Sequence, residues 1–162
     1  MIFIGIDPGL SGAIAYLEEA SVPRVFDMPV IKIRKRHDYV VSNLVSFFLD
    51  IDEEPLKNVL VGIESLHAMP PSMCSGVGNF SLGRSSGVFE GIFAALHIPF
   101  QKIPPKRWQK LLLDGEPHVK GSSVVVAKRL FPSINLSRVK DHGRADALLI
   151  AEYLRRTWKS GS

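Results

Sequence analysis

Ile2-Phe3-Ile4-Gly5-Ile6-Asp7-Pro8-Gly9, residues 2–9, sets five mostly apolar residues ahead of an acid and a Pro-Gly pair. A run this short and apolar reads as a buried first strand, and Asp-Pro-Gly as the turn that ends it. Working outward, 12–17 and 24–28 read as the next two strands, joined by tight turns at 10–12 and 19–23. The chain therefore opens as an antiparallel meander. Val59-Leu60-Val61-Gly62-Ile63 is a second buried run, and it delivers Glu64 at its C-terminal end. Between the two, Asp38 reads as the N-cap of a helix through Phe48, with Val41, Leu44, Val45, Phe48 and Leu49 on one face.

Beyond Glu64, residues 68–79 are rich in Pro, Met, Gly and Ser and read as the longest irregular loop. Asn79 would cap a helix reaching about 97. A fifth strand follows at 99–103, then helices at 105–113, 122–130 and 143–158, with 159–162 as a frayed tail. The expectation is a single domain over 1–158 of the α/β class, a mixed five-stranded sheet flanked by helices.

The 162 residues suit one such domain, burying roughly two thirds of the unfolded surface. An apolar share of 46% with 22% charged residues excludes a disordered chain. The start lacks a basic segment and no stretch approaches ~20 apolar residues, so neither a signal peptide nor a membrane span is expected. Cys74 is the sole cysteine, which excludes an internal disulfide and a cysteine-built zinc site. The net charge of +4 divides unevenly. Residues 101–162 hold 13 Lys+Arg against 5 Asp+Glu, and residues 1–100 hold 7 against 11. An anionic partner is expected on the C-terminal part and on the basic run Lys32, Arg34, Lys35, Arg36, although a solvated helix surface would show the same charges.

Three carboxylates stand where a core residue is expected. Asp7 and Glu64 end apolar strands, and Asp146 interrupts Ala145, Ala147, Leu148, Leu149 and Ile150. Buried carboxylates are costly unless paired with cations or metals. Two strand ends and one helix start can converge in a layered domain, and a hard divalent cation is the simplest neutraliser of such a group. Oxygen-only ligands favour Mg²⁺ or Mn²⁺.

Taken in order, these segments resemble a known family. Ile4-Gly5-Ile6-Asp7-Pro8-Gly9-Leu10-Ser11-Gly12-Ala13 resembles the first motif of RuvC-type Holliday-junction resolvases, and Gly62-Ile63-Glu64 resembles the second. Leu82-Gly83-Arg84-Ser85-Ser86-Gly87 is similar to the Leu-Gly-x-x-x-Gly stretch of their central helix. Ala145-Asp146-Ala147-Leu148-Leu149-Ile150-Ala151 is similar to their last motif. Phe131-Pro132-Ser133 with 140–146 resembles the plastid branch and its phage and bacterial relatives.

The resemblance implies an RNase H-like fold and a homodimer that makes paired symmetrical nicks in four-way junction DNA. It implies two Mg²⁺ ions per site, with Mn²⁺ as substitute, and no nucleotide cofactor. Asp7 would bridge both ions while Glu64 and Asp146 each hold one. Many members carry an acid three residues before the last Asp, where this chain has Gly143. Asp141 is the preferred fourth ligand, with His142 as ligand or proton shuttle. Lys106, Arg107, Lys110 and Lys120 match the stretch with which relatives hold phosphates, and contacts of that kind give affinity without sequence information. A basic solvated helix face over a core Trp108 would look alike. Where the family carries a base-stacking aromatic after the second-motif Glu, this chain has His67. Phe80 and Arg84 join His67 as DNA-facing candidates.

Gly83, Gly87 and Gly91 recur every four residues, which calls for close approach of another backbone, inside the fold or across a dimer axis. An ATPase of the actin and sugar-kinase type would need two such domains and a second phosphate loop, for which 162 residues leave no room. A degenerate junction binder and a nuclease for flaps or hybrids are the remaining alternatives. The expected compartment is a bacterial or phage-infected cytoplasm, or a plastid had a transit peptide been trimmed.

Overall fold

A computed structural model describes residues 1–34, 36–51, 58–117, 119 and 121–158. The meander forms as expected: β1 (Ile2–Asp7), β2 (Ala13–Glu18) and β3 (Arg24–Asp27) pair antiparallel in sequence order. β6 (Val59–Glu64) then joins β1 in parallel, and β7 (Phe100–Ile103) joins β6 in parallel. The result is a mixed five-stranded sheet in the order β3-β2-β1-β6-β7.

Alternation along the inner strands sorts side chains to two faces. Ile2, Ile4, Ile6, Ile14 and Tyr16 face one core, shared with α1 (Val41–Ile51) and α2 (Gly76–Ala95). Phe3, Ala13, Ala15 and Leu17 face the other, covered by α3 (Pro105–Leu112), α4 (Ser122–Leu130) and α5 (His142–Thr157). With both faces covered, the central strands can be apolar throughout. α5 lies directly on β1: a Cβ at Gly5 would overlap the Ala147 carbonyl oxygen and the Ala151 amide. That contact sets how near α5 comes to the sheet.

Two expectations need correction. Asp38 does not cap a helix. It lies in β5 (Arg36–Tyr39), which forms a separate two-stranded hairpin with β4 (Val30–Ile33), and its carboxylate accepts from the Tyr39 amide and from Arg84. Only Val30 and Tyr39, at the hairpin base, reach the core, so a charged strand like Arg-His-Asp-Tyr carries no apolar signal. Likewise Asn79 does not cap α2. Its side-chain amide clips both backbone groups of Met69, each at 2.8 Å, and Ser75 caps instead by accepting from Gly78 N at 3.1 Å. Among the described residues, no helix is long and apolar enough to cross a membrane.

Candidate active site

Register brings the first two acids together. Ile6 pairs with Ile63 across the parallel β1–β6 ladder, so Asp7 and Glu64 follow one step later on adjacent strands. Ile6 and Ile63 both face the α1–α2 core, so their successors point to the opposite face, where α5 packs. Asp146 comes down from the first turns of α5 onto that face. Carboxyl ends of parallel strands are a common place for ligands in α/β sheets.

The electrostatics of the three acids agree with their placement. Burial pushes Asp7 up from the usual carboxylate range, opposed by the Gly9 amide, which donates to its Oδ1 at 3.1 Å. Glu64 is pushed up to about 7, by burial first and then by the charge of Asp7, with a smaller push from Asp146. Its Oε1 accepts from the indole N–H of buried Trp108 at 3.0 Å, which opposes the rise. Asp146 also stands at about 7, raised by burial and by Asp7 and held back by a hydrogen bond from Ser123. Glu64 feels the charge of Asp7 and Asp146, Asp146 feels that of Asp7, and no Lys or Arg contributes to the shift of any of the three.

Other buried acids of the chain are treated differently. Glu152 is 2% exposed, yet Arg155 and Arg156 donate to it at 2.7–2.8 Å. Burial acts to raise its pKa, but the two guanidiniums outweigh burial and hold it low. Asp141 is fully buried and is held the same way: Arg138 donates to it from its backbone N–H and from Nε, both at 2.7 Å. Asp141 therefore does not join the three acids. It belongs to a cluster in which Arg138 also grips Asp27 at 2.8 Å through both Nη atoms and Arg144 bonds Asp27 as well.

At Gly143, three residues before Asp146, an added Cβ would overlap the Ser11 carbonyl oxygen. It would also come within 2.6 Å of Gly12 Cα and 3.0 Å of Asp7 Oδ2. The first motif thus packs directly on the start of α5 and leaves no space for a side chain at 143. His142 is the first residue of α5 and is half-buried. Among the described residues, no three His, Cys, Asp or Glu side chains stand close enough to hold a metal ion as they lie. The chemistry of the donor set nevertheless fits one: three carboxylates on one face of the sheet, oxygen donors only, with no Lys or Arg beside them.

Neither a protein-family model nor a curated protein matches the sequence. Solved structures do match in three dimensions, two of them as follows. One, described as Thermus thermophilus RuvC, is 18% identical with a TM-score of 0.59 and covers 96% of each chain. The other, T. thermophilus RuvC in complex with Holliday junction substrate, is 16% identical at the same TM-score, over 96% of this chain and 93% of that one. The fold is that of RuvC.

On this RuvC fold the residues expected to face DNA fall on several elements. Lys106, Arg107 and Lys110 are exposed on α3, with Trp108 buried beneath them, and none of the three pairs with a carboxylate among the described residues. Lys120 lies outside the described residues. His67 is exposed in the loop after Glu64, and Phe80 is 72% exposed on α2. Arg84 is committed to Asp38 and lies 5.9 Å from the Tyr39 ring centre. Sequence reasoning missed three supporting residues: Trp108 as the donor to Glu64, Ser123 as the donor to Asp146, and Tyr39, whose hydroxyl donates to Pro8 O beside Asp7. Only Trp108 left a signal, since a buried indole N–H must find an acceptor.

Proposed function

We propose that this chain is a divalent-metal-dependent endonuclease that resolves four-way DNA junctions by paired symmetrical nicks. One observation carries the reading. Two buried acids, Asp141 and Glu152, are each held by arginines, whereas Asp7, Glu64 and Asp146 converge with raised pKa values and no cation. Ionising three neighbouring buried acids is costly without a cation beside them, which supports a bound metal there. Two Mg²⁺ ions, or Mn²⁺ in their place, would supply Lewis acidity toward the phosphodiester and lower the pKa of the attacking water.

Asp7 sits between the other two electrostatically and would contact both ions, with Glu64 and Asp146 on one each. Trp108 and Ser123 orient Glu64 and Asp146 by hydrogen bonds. His142, four residues before Asp146 on the same helix, shares its face and is placed to move a proton, whereas both oxygens of Asp141 are taken by Arg138. Loss of cutting in His142→Ala with cutting kept in a folded Asp141→Asn would bear this out; the reverse pattern would return Asp141 to the site. The cations of α3 would grip backbone phosphates.

The same reading includes a two-fold dimer through α2. A Cβ at Gly83, Gly87 or Gly91 would meet nothing within 4 Å, so no intrachain packing calls for these glycines. With Val77 and Phe80 they form an exposed apolar and small-residue stripe, and a second α2 could approach it closely.

The test is cleavage of a labelled synthetic four-way junction in Mg²⁺, beside linear duplex and flap substrates, for wild type and Asp7→Asn. Paired nicks on the junction alone, absent in the variant, are the expected result. Tight binding without cutting would indicate a junction binder, and preferential cutting of flaps would retain the mechanism but overturn the substrate.

A further inference from the structure

We infer that the β4–β5 hairpin is a second phosphate-binding element, an arm that grips the backbone of a duplex DNA segment leading into the acid cluster. This rests on the reading of the chain as a DNA-cutting enzyme, but not on any residue of the cluster.

The base of the hairpin is fixed beside the site. Val40 N donates to Pro29 O at 2.8 Å and closes the base, and Met28 N donates to Gly12 O at 3.1 Å. The buried Tyr39 hydroxyl donates to the carbonyl of Pro8, the residue after Asp7, and hydrogen-bonds Ser85 of α2. Asp38, paired with Arg84, makes a second tie to α2. The arm is thus rooted on the turn that carries Asp7.

Outside that root the arm is uncovered. It is a separate two-stranded sheet, and Ile31, Lys32, Ile33, Arg34, Arg36 and His37 are all exposed. Cross-strand pairing places Lys32 with His37 on one face, and Ile33 with Arg36 on the other. Four of the seven Lys+Arg residues in 1–100 fall between 32 and 36, in a stretch of chain that is otherwise acidic. Among the described residues, no carboxylate pairs with Lys32, Arg34 or Arg36. A bare cationic arm suits a polyanion.

The turn supports the same conclusion. Ile33 pairs with Arg36, so the chain reverses tightly between them. Such turns favour left-handed residues, for which Asn-Gly is the economical choice. Here Arg34 occupies the left-handed region at φ 57. A cation is kept at the tip where a residue without a long side chain would sit more easily. Ile31 and Ile33, 51% and 54% exposed, give the Arg36 face an apolar strip suited to sugar edges along a groove.

The test compares wild type with Lys32→Ala/Arg34→Ala/Arg36→Ala. A second triple variant, Lys32→Arg/Arg34→Lys/Arg36→Lys, keeps the charge. Affinity for a labelled four-way junction is measured by anisotropy in EDTA across a salt series. Loss of three phosphate contacts per arm should flatten the log–log salt slope by about 2.7 for each arm engaged and weaken binding at least about tenfold at moderate salt. The charge-keeping variant should follow wild type. Unchanged affinity and slope in the alanine variant would overturn the proposal, as would an equal loss in the charge-keeping variant. The two readings fail separately. A wild type that prefers no junction and cuts none, but still shows the slope difference, would sink the resolvase and keep the arm. A wild type that resolves junctions, with an alanine variant equal to it in binding, would sink the arm alone.

Discussion

The burial of Asp146 and Glu64 has a consequence for stability that can be read without any substrate. Each stands at about 7 in the folded chain, against ordinary values of 3.8 and 4.5. Between those ordinary values and about 7 the folded chain keeps protons the unfolded chain has already released, so stability falls as pH rises through that window. Melting followed in EDTA should therefore show the midpoint dropping from pH 5 to pH 8. Asp146→Asn should remove part of the drop, worth on the order of 2 kcal/mol at pH 8. Added Mg²⁺ should reverse the drop in wild type but much less in Asp146→Asn, and a flat wild-type profile would show that the acids are not strained. Trp108 acts on the same cluster. Trp108→Phe keeps an aromatic ring in the core but withdraws the donor from Glu64, so the titration of Glu64, followed by carboxyl carbon NMR, should move above about 7. The expected stability loss is about 1–2 kcal/mol. An unmoved titration would mean that the indole does not hold the acid. The three acids were legible in the sequence because each breaks an apolar run. Trp108, Ser123 and Tyr39 were not, because their partners lie 44, 23 and 31 residues away in sequence.

At the scale of the element, α5 and the turn after β1 are built as one unit. Gly5 lets α5 settle on β1, and Gly143 lets the Ser11–Gly12 backbone settle on the start of α5. Gly143→Asp, which would place an acid where many RuvC-type proteins carry one, should cost about 3 kcal/mol by urea denaturation, since backbone rather than a flexible side chain must move. A neutral effect would show that this junction is soft. The ion cluster of Arg138, Asp27, Arg144 and Asp141 ties the same helix start to the end of β3. The resemblance made Asp141 a plausible ligand, but proximity to Asp146 along the chain says nothing about which way a buried carboxylate turns. The hairpin was missed for a related reason: strands held by backbone pairing and exposed on both faces carry no periodic apolar signature.

For the molecule as a whole, the proposed paired nicking requires two sites to be placed on one substrate. The uncovered stripe of α2 predicts that Gly87→Leu gives a monomer by sedimentation equilibrium with the melting midpoint of the chain retained, because the new side chain meets nothing inside the protomer. Its nicks on a four-way junction should then come singly instead of in pairs. A dimer undisturbed by Gly87→Leu would place the two-fold axis elsewhere. The sequence by itself determined the five strands of the sheet, the helices at its C-terminal end and the three acids. Those follow from apolar periodicity and from the cost of an unexplained charge in an apolar run, both of which are local. Only the tertiary structure decided that Asp141 belongs to an arginine cluster, that Gly143 is barred from carrying a side chain, and that a cationic hairpin is rooted beside Asp7. Each of these depends on which backbone lies across from which, and that is set by the packing of α5 and the β1 turn rather than by any property of the residues one at a time.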